Sequence, residues 1–249
     1  MKKLLTIPFL FVLSLGFVSC LNNDDDDPIY YFYDEPALVE SLSGNQTVIK
    51  TAYGKFFVSE AESSRLEKGD LLWTSFTVDM KNQPSKDTLT AIHFRYDNID
   101  STEVTIPANK EEFESHLTDI YSDPFDLAVL YKTYIDSLLF FNFTQKEVVN
   151  QTREYELVLN PEIENSNNFP TLYIRTKTTE ISSTGNLSNK GKEETVFAFD
   201  MTKFIDYYRE NISKTTPITF NLKYKIGEDK EGKDIYREFK SNPIPWNLK

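Results

Sequence analysis

The chain is short of the residues from which compact active sites are usually built. Its 249 residues contain one cysteine, Cys20, with two histidines, two tryptophans and eight glycines. A single thiol forms no intrachain disulfide, so any core must hold by ordinary packing. His93 and His116 stand too far apart for the clustered His and Cys of a zinc site, and neither has a nucleophile at a telling distance. Both read as structural. No two glycines are four apart, which excludes the G-x-S-x-G turn that exposes a nucleophilic serine. No cofactor motif is present, so no cofactor is expected.

Positive charge is scarce as well. Lys2 and Lys3 are two of the 27 basic residues, and a chain without residues 1–19 has 25 bases against 39 acids, a net charge of −14. No basic stripe or cluster occurs after that point, which excludes nucleic acid as the expected partner. Long apolar runs are missing too. Leu4 to Val18 is the one candidate, and its 15 positions include Thr6, Pro8, Ser14 and Gly16. A spanning helix needs roughly 20 apolar residues.

That run instead has the form of a signal peptide: Lys2 and Lys3 first, an apolar stretch next, then Val18 and Ser19 before Cys20. It resembles a bacterial lipoprotein signal covering residues 1–19, with Cys20 as the lipidated first residue of the mature chain. Asp24 to Asp27 follow at once. Four like charges repel and extend the chain, so residues 20–36 read as a tether. Aspartates at this position resemble the surface-export signal of Bacteroidota lipoproteins, which implies an outer-membrane lipoprotein exposed at the cell surface.

What is abundant is aromatic residues, 19 Phe and 14 Tyr, a composition that favours strands. Leu72, Thr74, Phe76, Val78 and Met80 alternate with their neighbours, as do Ile218, Phe220, Leu222, Tyr224 and Ile226. Leu138 to Phe143 is nearly continuous in apolar residues and reads as a strand buried on both faces. Two short helices are expected. Asn109 and Glu112 form a capping box ahead of Phe113 and Leu117, and Asp200 precedes Met201, Phe204, Ile205 and Tyr208 at helical spacing. The spacing therefore predicts a mostly β chain: a small barrel over 37–108 and a β-sandwich over 109–249.

At this point a family resemblance becomes visible. The lipoprotein signal, Gly54-Lys55-Phe56-Phe57-Val58, Gly69-Asp70-Leu71 and Phe197-Ala198-Phe199-Asp200 together are similar to the NigD-like lipoproteins of Bacteroidota. The resemblance implies an N-terminal OB-like barrel and a C-terminal Ig-like sandwich, with no established activity.

Candidate binding residues are aromatic. Tyr30, Tyr31 and Tyr33 follow the tether, and Trp73 alternates away from Leu72 and Phe76, so each is a candidate contact for a glycan or a surface-protein partner. Thr88, Ser101 and Ser137 each follow an aspartate and resemble the O-glycosylation pattern of exported Bacteroidota proteins. Gly227 to Lys233 matches most of a P-loop, but Asp234 replaces the Mg²⁺-binding hydroxyl and Glu228, Asp229 and Glu231 repel phosphate, leaving a hairpin loop. The acids of that loop and Asp24 to Asp27 lack EF-hand spacing, so no metal site is expected. The expected function is non-enzymatic binding at the cell surface. A fimbrial subunit is the alternative, and a surface hydrolase ranks third.

Overall fold

The computed structural model describes residues 29–43, 46–83, 85, 87–118, 126–128, 134–147, 151–162, 169–180, 190–213 and 217–246. Cys20, Asp24 to Asp27 and the rest of the signal and acidic segment lie outside the described residues. Within them the chain is mostly β, as its alternating patterns predict.

Six strands form the first sheet: β1 (Ile29–Ser43), β2 (Gln46–Thr51), β3 (Gly54–Ser59), β4 (Leu71–Asp79), β5 (Thr88–Thr90) and β6 (Ile92–Asn98). Their order is β5-β3-β2-β1-β4-β6. Alternation along β4 buries Leu72, Thr74, Phe76 and Val78 against Ala37, Ile49, Phe56 and Phe94. The size of this half suggests a closed barrel, yet among the described residues no ladder joins its end strands. Instead one run of chain serves both ends, with β5 parallel to β3 and β6 antiparallel to β4. Ala91 lies between them and donates its N–H to Phe57 O at 2.8 Å.

Strand β1 starts at Ile29, so residues 29–36 belong to the sheet and not to the expected tether. The sequence hides this because Asp34, Glu35 and Pro36 interrupt the pattern. Asp34 takes a left-handed conformation, φ 56°, where the register with β4 shifts, and Pro36 lies just before the ladder with β2 begins at Ala37. A bulge and an unpaired edge are where a strand tolerates such residues.

The second unit is a two-sheet sandwich. One sheet runs β7-β13-β10-β8, from β7 (Asp100–Glu103), β8 (Asp126–Ala128), β10 (Leu138–Glu147) and β13 (Lys190–Asp200), with β9 (Tyr134–Ile135) also on β10. The other runs β11 (Gln151–Asn160), β12 (Thr171–Glu180), β14 (Asn221–Glu228) and β15 (Asp234–Lys240). Leu139, Phe141, Phe143, Phe197 and Phe199 from the first meet Leu157, Leu172, Ile174, Leu222 and Tyr224 from the second. Because β7 pairs with β13 in parallel, the sandwich takes up the chain at Asp100, ahead of the boundary expected at residue 109. Four polar residues, Asp100 to Glu103, carry no apolar period from which to read this strand.

Helix α2 (Lys110–Thr118) has half of the expected capping box, Glu112 N–H donating to Asn109 Oδ1 at 2.9 Å, while Glu112 Oε2 reaches one residue further and accepts from Ala108 N–H at 2.7 Å. Helix α3 (Thr202–Asn211) follows Asp200, whose Oδ1 accepts from Thr202 N–H at 2.9 Å. A third, one-turn helix, α1 (Glu60–Ser63), was not expected, since four residues are too few to show a helical period.

The two units meet through β10. Its alternate side chains Leu138 and Phe140 point away from the sandwich core and join Leu38, Leu71, Trp73, Ile99, Ile135 and Ala198 in a cluster spanning both units. Lys50 of β2 also reaches Asp136 at 2.5 Å, an exposed pair that contributes at most about 1 kcal/mol. Phe140 is fully buried, so Phe140→Ala is expected to lower the free energy of unfolding by about 3–5 kcal/mol, whereas Lys50→Met lowers it by less than about 1 kcal/mol. Urea denaturation of the two variants checks the contrast.

Candidate functional site

A cleft of about 440 Å³ opens beside the cluster that joins the units. Asp34, Trp73, Asp97, Asn98 and Ile99 line it from the first sheet, and Asn142, Glu194, Thr195 and Val196 from the sandwich. Strand register explains the grouping. Trp73 lies opposite both Pro36 and Asp97, and Asn142 opposite Val196. Asp34 enters through its bulge, with its N–H on Ser75 Oγ at 3.3 Å. Trp73, Ile99 and Val196 are also part of the joining cluster, so the apolar surface of the cleft is continuous with the interface.

Among the described residues the lining has three carboxylates and no lysine, arginine or histidine. Such a site disfavours anions and accepts neutral or cationic groups. Asn142 Oδ1 is buried without a hydrogen-bond partner among the described residues, which leaves an acceptor available to a ligand donor. Its volume falls within the usual range for small-molecule sites, about 300–1,000 Å³. Among the described residues no group of His, Cys, Asp and Glu is arranged to hold a metal ion.

Of the residues singled out by sequence, only Trp73 lies in the cleft. It is half-buried, serving as both core contact and cleft wall. Tyr30, Tyr31 and Tyr33 are 57%, 60% and 66% exposed on β1, with the rings of Tyr31 and Tyr33 parallel at 6.1 Å. Their neighbour Phe32 turns inward onto Phe76. Thr88 is half-buried in β5 and Ser101 exposed in β7, while Ser137 Oγ donates to Asp200 Oδ1 at 3.2 Å beside the start of α3. Gly227 to Lys233 spans the end of β14 and its turn into β15, where Asp229 Oδ1 accepts from the N–H of Glu231 and Lys233. His93 is exposed at a bulge of β6 with φ 55°, and the side chain of His116 lies outside the described residues. Sequence reasoning missed Asp34, Asn142 and Glu194, because residues up to 160 positions apart are gathered only by strand pairing.

No protein-family model matches the chain, and no curated protein matches it in sequence. Solved structures do match in shape. The chain shares its fold with a NigD-like immunity protein. That protein, from Bacteroides caccae, is 13% identical, with a TM-score of 0.54 over 86% of this chain and 99% of its own. A protein provisionally described as a lipoprotein, from Bacteroides fragilis, is 15% identical, with a TM-score of 0.60 over 88% and 98%. An uncharacterized protein from Parabacteroides merdae gives 14%, 0.58, 85% and 96% in the same terms. At these identities the likeness is one of fold, and at that level the expected resemblance to NigD-like lipoproteins holds.

A second polar region lies on the outer face of the β11-β12-β14-β15 sheet. Arg175 of β12 is 2% exposed, and among the described residues none of its guanidinium nitrogens has a hydrogen-bond partner. Burial lowers its pKa to about 10, against the opposing pull of Glu156, its register partner on β11. The guanidinium sits 5.7 Å from the centre of the Phe113 ring, below α2. Nearby Lys225 bonds Asp234 at 2.6 Å and Glu228 at 2.8 Å. Burial alone would lower the Lys225 pKa, but these two carboxylates outweigh it and raise the value.

Both residues generate expectations. Since Arg175 makes no hydrogen bond that a substitution would break, Arg175→Met is expected to keep stability within about 1 kcal/mol by thermal unfolding. For Lys225 the folded pKa lies above the unfolded 10.5, so its contribution is complete below pH 10.5 and lost as pH rises through the folded value. Lys225→Met is accordingly expected to flatten the alkaline limb of a Tm-against-pH profile.

Proposed function

We propose that the chain is a non-enzymatic binding lipoprotein of a Bacteroidota-type bacterium, anchored through Cys20 in the outer membrane and displayed at the cell surface. Its cleft takes a neutral saccharide segment. The observation that carries this reading is the composition of the cleft among the described residues: Trp73, three carboxylates, an unpartnered buried amide oxygen and no cation. A sugar ring presents apolar C–H faces that lie against an indole and hydroxyls that donate to carboxylates. The fold shared with a protein described as a lipoprotein supports the anchored address. A second reading, capture of a protein partner, draws on the fold shared with a NigD-like immunity protein.

The three carboxylates also keep the hydrolase alternative open to test, since that chemistry uses a pair of acids. The same experiment separates the readings. A chain beginning at Ile29 is screened against a panel of neutral glycans, and the bound glycan is recovered and sized. Binding without shortening is expected, and shortening would establish hydrolysis. Trp73→Ala and Glu194→Gln are each expected to weaken binding at least about tenfold. Because Glu194 is exposed, Glu194→Gln separates lost contact from lost stability. Unchanged affinity in both variants, or no neutral glycan retained, sinks the saccharide reading.

A further inference from the structure

The tyrosines at the start of β1 are not in the lining of the cleft, and among the described residues nothing covers them. Tyr30, Tyr31 and Tyr33 are each more than half exposed, with Ile29 at 36% and Met80 at 42% beside them. Ile29 pairs with Asp79, which brings Met80 to the same end of the sheet. Alternation puts Tyr30 on one side of the strand and Tyr31 on the other. The exposed side chains therefore surround the strand end. A saccharide platform needs one side of a sheet, so this distribution suits a medium that touches both.

Where the chain outside the structure ends identifies that medium. Cys20 is nine residues before Ile29, a span of at most about 32 Å even when fully extended. We propose that Tyr30, Tyr31 and Tyr33 seat the β1 end in the headgroup layer of the membrane that carries the anchor, an inference that rests on the lipidation of Cys20 proposed above. Tyrosine suits this layer because its ring is apolar and its hydroxyl remains hydrated. The four negative charges of Asp24 to Asp27 repel anionic headgroups, which favours a zwitterionic layer. The acyl chains supply the affinity and the tyrosines fix the orientation, so that the β1 end faces the lipid.

The single thiol allows a direct test. The mature chain, Cys20 to Lys249, is coupled through Cys20 to a maleimide lipid in phosphatidylcholine vesicles, and the vesicles carry brominated or ordinary acyl chains. Tyr31→Trp reports on the β1 end, and Tyr236→Trp, on β15, is the reference, each read as a difference from the unsubstituted coupled chain. Blue-shifted emission and about twofold quenching by the brominated lipid are expected for Tyr31→Trp alone. Equal emission and equal quenching at the two positions overturn the proposal, whether the tyrosines then take a saccharide or a partner strand. The intact mass of the native mature chain tests the anchor separately. Absence of acyl mass on Cys20 overturns the anchor and the seating together, while acyl mass with an unquenched Tyr31→Trp overturns the seating alone.

Discussion

Strand β10 packs apolar side chains on both of its faces over residues 138–143, and the arrangement of the two units depends on it. Leu139, Phe141 and Phe143 fill the space between the sandwich sheets, while Leu138 and Phe140 press against the first sheet. A strand with one polar face would complete the sandwich and leave the first unit without a surface to pack on. Each fully buried apolar side chain contributes about 1.5–3 kcal/mol, so the Phe140 side of β10 outweighs the Lys50–Asp136 pair that crosses the same junction.

The cleft is a by-product of that junction. Apolar packing brings Trp73, Ile99 and Val196 together, and the register of β1, β4, β10 and β13 then fixes which polar residues border them. Burial of Asn142 Oδ1 without a partner costs stability, and such a cost is retained where a site has use for the group. Arg175 poses the same question in the sandwich. There an aromatic ring and the field of Glu156 offset part of the penalty of burying the guanidinium.

Much of the fold was legible in sequence wherever burial has a regular period. Alternation marked β4 and β14, the continuous run at 138–143 marked a strand covered twice, and the Asn109–Glu112 spacing marked the start of α2. The sequence was silent where backbone geometry overrides composition. The bulge at Asp34 extended β1 through residues that look like a tether, and Asp100 to Glu103 became a strand with no apolar residue at all. Of the site, Trp73 alone was accessible. An indole stands out by its chemistry, but Asp34, Asp97 and Glu194 are three among 39 acids, and nothing local distinguishes them before the strands pair.

Ile99 alone separates β6 from β7, and it is buried with its N–H held by Leu71 O at 2.8 Å. The two walls of the cleft are therefore spliced together through one buried residue. A gap between walls so joined keeps its width through strand pairing, as a gauge does, and any occupant meets walls that are already in place.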